Sequence, residues 1–165
     1  MRNQAEVYIA GPLFNSEENA HNIALAAQFR EAGYTVFNPI EDGIEGAKQE
    51  ISEDELIRNI HQLDFSRVMG ATIFVANLNG PQVDDGTAAE SGMAYISKVG
   101  IPGTDIKGPT KLMLGYLTDT RSLTPNMRRN PLVIGSFDRI FKTREEIVVY
   151  AVEHCPPQAG NTSKG

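Results

Sequence analysis

The sequence predicts an α/β domain with a mostly parallel sheet. Strand-like runs alternate with helical patterns five times along the chain, the order that right-handed βαβ crossovers require. One of those runs, residues 71–78 (Ala-Thr-Ile-Phe-Val-Ala-Asn-Leu), is almost unbroken in apolar residues, as expected of a central parallel strand covered on both faces. No internal repeat or linker composition divides the 165 residues. Residues 1–155 therefore read as one domain with its own core, and residues 156–165 as a polar tail.

The first strand is residues 5–10, rich in β-formers and stopped by Gly11-Pro12. Asn15 or Ser16 then caps a helix reaching about Ala32, with Glu17 and Glu18 in its first turn, where the helix dipole favours acids. Ala20, Ile23, Ala24 and Ala27 recur at helical spacing and predict its buried face; Gly33 closes it. Residues 34–37 form a second strand, ended by Asn38-Pro39. Residues 41–50, acidic and holding two glycines, read as a long loop. Ser52 and Glu55 have capping-box spacing and open the next helix, whose stripe is Leu56, Ile60 and Leu63, supported by Ile57. After the central run comes a corner at residues 83–95 that leads into a helix of small residues. Residues 111–117 are a fourth strand candidate and residues 131–134 a short fifth, with Pro131 at its start, where proline is tolerated. Thr143-Arg144-Glu145-Glu146 is a further capping box, before a final helix to about His154 that Cys155-Pro156-Pro157 ends. Residues 100–110 and 118–130 are loops. The second is basic and contains proline, suiting an interface.

Composition narrows the function. A net charge of -6 lacks the basic footprint of a nucleic-acid binder. Cys155 is the one cysteine, so neither a disulfide framework nor a cysteine metal cluster is expected. His21, His61 and His154 lack ligand-like spacing, and no metal or cofactor is expected. The start of the chain has no apolar core of a signal peptide, and no run is long enough to span a membrane. A cytoplasmic enzyme or binding protein acting on a small neutral or cationic ligand is the expectation.

Ligands of open α/β sheets bind beyond the carboxyl ends of the strands, at the switch in strand order. Here those ends are Gly11-Pro12-Leu13-Phe14, residues 38–42 and residues 79–90, which should line one crevice. The third segment carries Asp84, Asp85 and Glu90, with Gly86, Ala88, Ala89, Gly92 and Ala94 keeping the corner free of bulk. Thr87 and Glu90 have capping-box spacing, so Glu90 reads either as a cap at a tight joint or as an active carboxylate held ionised in the first helical turn. Asp64 falls on the buried side of the preceding helix near its C-terminal end. There it either has a raised pKa and a function, or reaches water at a fraying end. No phosphate loop with lysine, no Ser–His pair and no metal cluster accompanies these acids. Two carboxyls in contrasting environments suit displacement at an anomeric carbon, so glycosyl transfer or hydrolysis is one reading of the residues.

Four pieces, in this order, are similar to the nucleoside 2-deoxyribosyltransferases over roughly residues 5–150. They are Val7-Tyr8-Ile9-Ala10-Gly11-Pro12-Leu13-Phe14; Tyr34-Thr35-Val36-Phe37-Asn38-Pro39; Asp64 followed by Ala71-Thr72-Ile73-Phe74-Val75-Ala76; and Asp84-Asp85-Gly86-Thr87-Ala88-Ala89-Glu90-Ser91-Gly92-Met93-Ala94-Tyr95. The resemblance implies a flavodoxin-like α/β/α sandwich with a five-stranded sheet, and a ping-pong base exchange serving nucleotide salvage. It implies that Glu90 attacks C1′ of a 2′-deoxynucleoside, that Tyr8 orients Glu90, that Asp84 holds sugar hydroxyls and that Asp64 shuttles the proton of the base. It further implies that Leu13, Phe14, Asn38 and Asp42 line the base pocket, with Gly11, Pro12, Gly86 and Met93 completing the substrate site. Asn130, with Asn126 as a competing match, corresponds to an asparagine that reaches a neighbouring subunit's sugar site. A homodimer or higher symmetric oligomer with sites completed across the interface is thus implied. The C-terminal tail departs from relatives whose terminal carboxylate enters the site, so Gly165 is not expected there.

Two rivals follow. A relative that hydrolyses 2′-deoxynucleoside 5′-monophosphates needs phosphate donors beside the first loop. That loop reads Gly-Pro-Leu-Phe-Asn-Ser-Glu-Glu, with acids and no base, which favours nucleosides. A non-catalytic nucleotide-binding module on the same fold is the other, since fold does not fix function. The sequence leaves purine or pyrimidine preference open.

Overall fold

Alternation along the first strand sets the layering of the molecule. β1 (Val7–Ala10) is buried throughout, with Val7 and Ile9 in one core and Tyr8 and Ala10 in another. The computed structural model describes residues 7–44, 51–101, 103–104, 108, 110–118 and 129–157. Expectations placed on residues 5–6, 45–50, 102, 105–107, 109, 119–128 and 158–165, Asn126 and Gly165 among them, lie outside the described residues.

β1 is flanked by β2 (Val36–Phe37) and β3 (Ile73–Asn77), and β4 (Leu112–Tyr116) and β5 (Arg139–Phe141) extend the sheet. The order is β2-β1-β3-β4-β5 and every pairing is parallel, the flavodoxin-like order, with its switch point between β1 and β3. α1 (Ser16–Glu31) and α6 (Arg144–His154) cover one face, burying Leu25, Ala26, Phe29, Ile147 and Ala151 on Val7, Ile9, Ile73, Val75 and Leu114. α3 (Glu53–Gly70) and α4 (Asp85–Val99) cover the other, where Val68 and Ala94 join Tyr8, Ala10, Phe74, Ala76 and Met113. The all-buried pattern of β3 fits its central place and its apolar sequence. β4 carries Gly115 next to its last residue because a side chain there has no room. A Cβ would stand 2.9 Å from Leu78 Cδ1 and 3.0 Å from Ile140 Cγ1.

Several elements differ from the sequence expectations. Residues 131–134 are not a strand but a single helical turn, α5 (Pro131–Ile134). Pro131 sits at its first position, where a missing N–H costs nothing, and the Asn130 side chain accepts from the Leu132 amide. The fifth strand lies instead at Arg139–Phe141. Pro39 likewise starts a turn of helix, α2 (Pro39–Asp42), where the sequence suggested the beginning of a loop. In α1 the buried face is Asn22, Leu25, Ala26 and Phe29; the alanine stripe with Ile23 faces outward. Asn15, not Ser16, is the cap, accepting from the amides of Glu17 and Glu18. Ile57 does not support the buried stripe of α3, being 58% exposed. Ser52 and Thr143 cap α3 and α6 as the sequence indicates, and Thr143 forms a reciprocal box with Glu146. Among the described residues, no helix is long and apolar enough to cross a membrane.

Candidate active site

At the carboxyl ends of β1 and β3 a cavity of about 350 Å³ opens, lined by Gly11, Leu13, Phe14, Pro39, Asp64, Asp84, Gly86, Thr87 and Glu90. It lies where the strand order reverses, and its size suits a small organic ligand. Three of its walls are explained by the topology. β1 delivers the first loop, α3 brings Asp64 up from below, and the turn after β3 presents Asp84 and α4.

Tyr8 anchors the floor. It is fully buried at the centre of the sheet, in register with Phe37 on β2 and Phe74 on β3. The three rings form a row, with centroids 5.5 Å and 5.8 Å from that of Tyr8 and near-parallel planes. Arg67 closes one end, its guanidinium 5.1 Å from the Phe37 ring centroid. Each ring contact adds about 0.5–1.5 kcal/mol beyond burial, so the phenol has one position. Its hydroxyl donates to Glu90 Oε1 at 2.6 Å.

α4 starts earlier than the Thr87–Glu90 spacing suggests. The N-cap is Asp84, whose Oδ2 accepts from both the amide and the hydroxyl of Thr87, at 2.9 Å and 3.0 Å. Glu90 therefore does not sit in the first turn and caps nothing; it is carried in the second turn, facing inward. Burial pushes its carboxyl from 4.5 up to about 7. The hydrogen bond from Tyr8 opposes that rise, and the charges of Asp64 and Asp84 add to it. This corrects the expectation that the helix terminus alone holds Glu90 ionised. The dipole acts mainly within the first turn, so desolvation wins. Asp64 also stands differently. α3 continues to Gly70, so Asp64 lies within the helix, and the last-turn dipole argument does not apply to it.

The structure brings Gly11, Leu13, Phe14, Asp64, Asp84, Gly86 and Glu90 to this one cavity, with Tyr8 bonded beneath it. Other expected site residues stand elsewhere. Asn38 and Asp42 do not line it: the Asn38 amide donates to Asp42 Oδ2 at 2.9 Å, and Arg30 pairs with Glu41 and Asp42. These bonds fasten α2 to α1, and Pro39 is the residue they leave on the cavity wall. Pro12 is buried within the first loop, and Met93 packs on the α3–α4 core. Asn130 lines a separate cavity of about 480 Å³ with Val83, Asp85, Ala88 and Arg129, on the other side of the same corner. Thr87 and Pro39, within segments expected to line the crevice but not singled out as site residues, join the wall. An Asp followed three residues later by Thr is itself a cap signal and could have placed Thr87. No local signal marks Pro39.

Chemically, among the described residues that line it, the cavity holds three carboxyls and no cation. One carboxyl is desolvated, bonded to a fixed phenol and aimed inward, as a nucleophile or proton carrier would be. Among the described residues no group of three His, Cys, Asp or Glu is placed to hold a metal ion.

Residues 7–141 match the family model for nucleoside 2-deoxyribosyltransferase. Among solved structures, the chain is similar to a 2-deoxyribosyltransferase from Bacillus psychrosaccharolyticus, at 25% identity and a TM-score of 0.65 over 87% of this chain and 90% of that one. It is also similar to a conserved protein from Enterococcus faecalis V583, at 22% identity and a TM-score of 0.67 over 88% and 96% of the two chains. A third likeness is to the 2-desoxiribosyltransferase from Leishmania mexicana, at 21% identity and a TM-score of 0.62 over 90% and 97%. The likenesses at 21% and 22% identity establish the fold alone. A search of curated proteins finds no match.

Proposed function

The chain belongs to the nucleoside 2-deoxyribosyltransferase family, and on that premise we propose that it exchanges the nucleobase of a 2′-deoxyribonucleoside for a free purine or pyrimidine base. The observation that carries this reading is the Tyr8–Glu90 pair at 2.6 Å, set in a cavity with two further carboxyls. Glu90, as the carboxylate, attacks C1′. The glycosidic C–N bond breaks, its electron pair leaves with the base, and Asp64 supplies the proton that the departing nitrogen needs. The result is a deoxyribosyl ester on Glu90. An incoming base then attacks C1′, its proton passes back to Asp64, and Glu90 leaves as carboxylate. Asp84, one oxygen committed to Thr87, offers the other to a sugar hydroxyl. Water competes with the acceptor base for the ester, so hydrolysis is the expected side reaction.

The cavity disfavours the two rival readings. A 5′-monophosphate substrate would bring a dianion among three carboxyls, with no cation among the described lining residues. Against a module that only binds stands the pairing of a buried carboxyl with a fixed phenol, at 2.6 Å, an arrangement that suits a reacting group. The test is exchange between thymidine and free adenine. The wild-type chain should form 2′-deoxyadenosine, Glu90→Ala should form none while keeping its circular dichroism, and intact mass should reveal the deoxyribosyl adduct. Exchange retained in a folded Glu90→Ala chain would sink the nucleophile assignment.

The assembly is proposed to be a homodimer or higher symmetric oligomer. In support, α4 leaves Ala89, Gly92, Tyr95, Ile96 and Val99 exposed along its outer side, with Ile101 beyond its end. Contiguous apolar surface of this kind marks an interface more often than bare solvent contact. A cytoplasmic location remains the expectation for such an enzyme.

A further inference from the structure

The first loop is one wall of the cavity, and it is held from behind by a side chain outside the cavity. Asn22, in α1, is 1% exposed and sits on the face that packs against the sheet. Its Nδ2 donates to the Pro12 carbonyl at 3.3 Å, while its Oδ1 has no partner among the described residues. A primary amide buried in an apolar layer is costly when half satisfied, so packing alone does not account for it. The amide also lies flat against Gly11. A Cβ on Gly11 would meet Asn22 Oδ1 at 2.9 Å, Asn22 Nδ2 at 3.0 Å and Asn77 Cβ at 3.0 Å. The backbone at Gly11 is thus gripped between α1 and the end of β3. Farther along, the Phe14 amide donates to Glu18 Oε2 at 3.0 Å, which ties the loop to the same helix a second time.

We propose that Asn22 is a positioning residue: by holding the Pro12 carbonyl and filling the space beside Gly11, it sets where the Leu13–Phe14 wall stands opposite Glu90. This rests on the exchange reading above. The wall touches the bound nucleoside or base, whereas the Tyr8–Glu90 pair belongs to the sheet and α4. Loss of the grip should therefore weaken substrate binding and leave the chemical step alone.

The experiment replaces Asn22 with leucine, which keeps the volume and removes the donor. Asn22→Leu should raise KM for the 2′-deoxynucleoside about tenfold, with kcat changed less than about threefold and the pH midpoint of kcat unmoved, because binding is lost equally in ground and transition states. A purely structural role would lower Tm and leave KM at the wild-type value, and that outcome overturns the proposal. Gly11→Ala pushes on the same amide from the other side. It should raise KM as well, and adding Asn22→Ala, which alone also raises KM, should raise it little further because the same grip is already lost; effects that multiply in full count against the grip. This pair decides the matter should Asn22→Leu not fold. If the wild-type chain exchanges no bases, the exchange reading fails by itself. The grip is then read from amide hydrogen exchange at residues 13–15, which Asn22→Leu should accelerate about tenfold whatever the substrate. Unchanged protection there overturns the proposal on its own.

Discussion

Glu90 is asked for two opposed things: a negative charge for attack, and burial that keeps water from its product. The balance falls at a pKa of about 7, so the proposed exchange should gain rate as pH rises through that value. A kcat profile falling through this range would contradict the carboxylate as nucleophile. Among the described residues, Tyr8 is the one group that lowers the Glu90 pKa. Tyr8→Phe should move the midpoint upward by about one unit or more and cut exchange at pH 7 about tenfold, seen in kcat against pH. The same shift acts on stability. The folded chain holds this proton more tightly than the unfolded chain, so the group favours folding in acid. That advantage disappears as pH rises from 4.5 through about 7. The rise corresponds to about 3 kcal/mol as an order of magnitude. Glu90→Gln should therefore melt higher than wild type near pH 8.5 and close to it near pH 4.5, while exchanging no bases. Equal melting at both pH values would show that the carboxyl is not desolvated.

At the scale of elements, what the sequence revealed depended on whether the cause was local. Caps are local: Thr143 and Glu146 bond reciprocally as their spacing foretells, and Thr143→Ala should cost about 1 kcal/mol in urea unfolding. The central strand was legible because a strand covered on both faces has only apolar positions. The buried face of α1 was not, because three alanines and Ile23 outnumber Leu25 and Phe29 by count, while each alanine offers far less area to bury. Pro131 fits a strand start and a helix start equally, and Asn130 as cap decides for the helix. In the site, Asp84 and Glu90 were legible from one motif, Asp64 from the spacing along α3, and Tyr8 from the likeness of the first strand to the family. The places of Asn38 and Asp42 were not, since Asp42 is drawn off by Arg30, 12 residues upstream in α1, and Asn38 bonds to Asp42 and Glu41. Gly115 is a case where neighbours on two other segments dictate a residue. Gly115→Val should cost about 1–3 kcal/mol through overpacking, measured by chemical denaturation.

The whole molecule divides its labour by pole and by side. Its strand carboxyl ends carry the acidic cavity, which has no cation among its described lining residues, so kcat/KM for a 5′-monophosphate should fall about a hundredfold or more below that for the nucleoside. Comparable values would restore the monophosphate hydrolase reading. The outer side of α4 carries the exposed apolar row, so Ile96→Lys should shift sedimentation toward the monomer, with exchange falling alongside if partners complete the site. A wild-type monomer at working concentration would remove the oligomer proposal. The row Phe37–Tyr8–Phe74 has a consequence for redesign. The residue that aims the proposed nucleophile is embedded in the sheet, while Leu13, Phe14 and Pro39 come from loop and turn segments at the mouth. A library that varies those three positions can explore new bases without spending folding stability on the aiming device. A library that varies the ring row would lose fold and reactivity together.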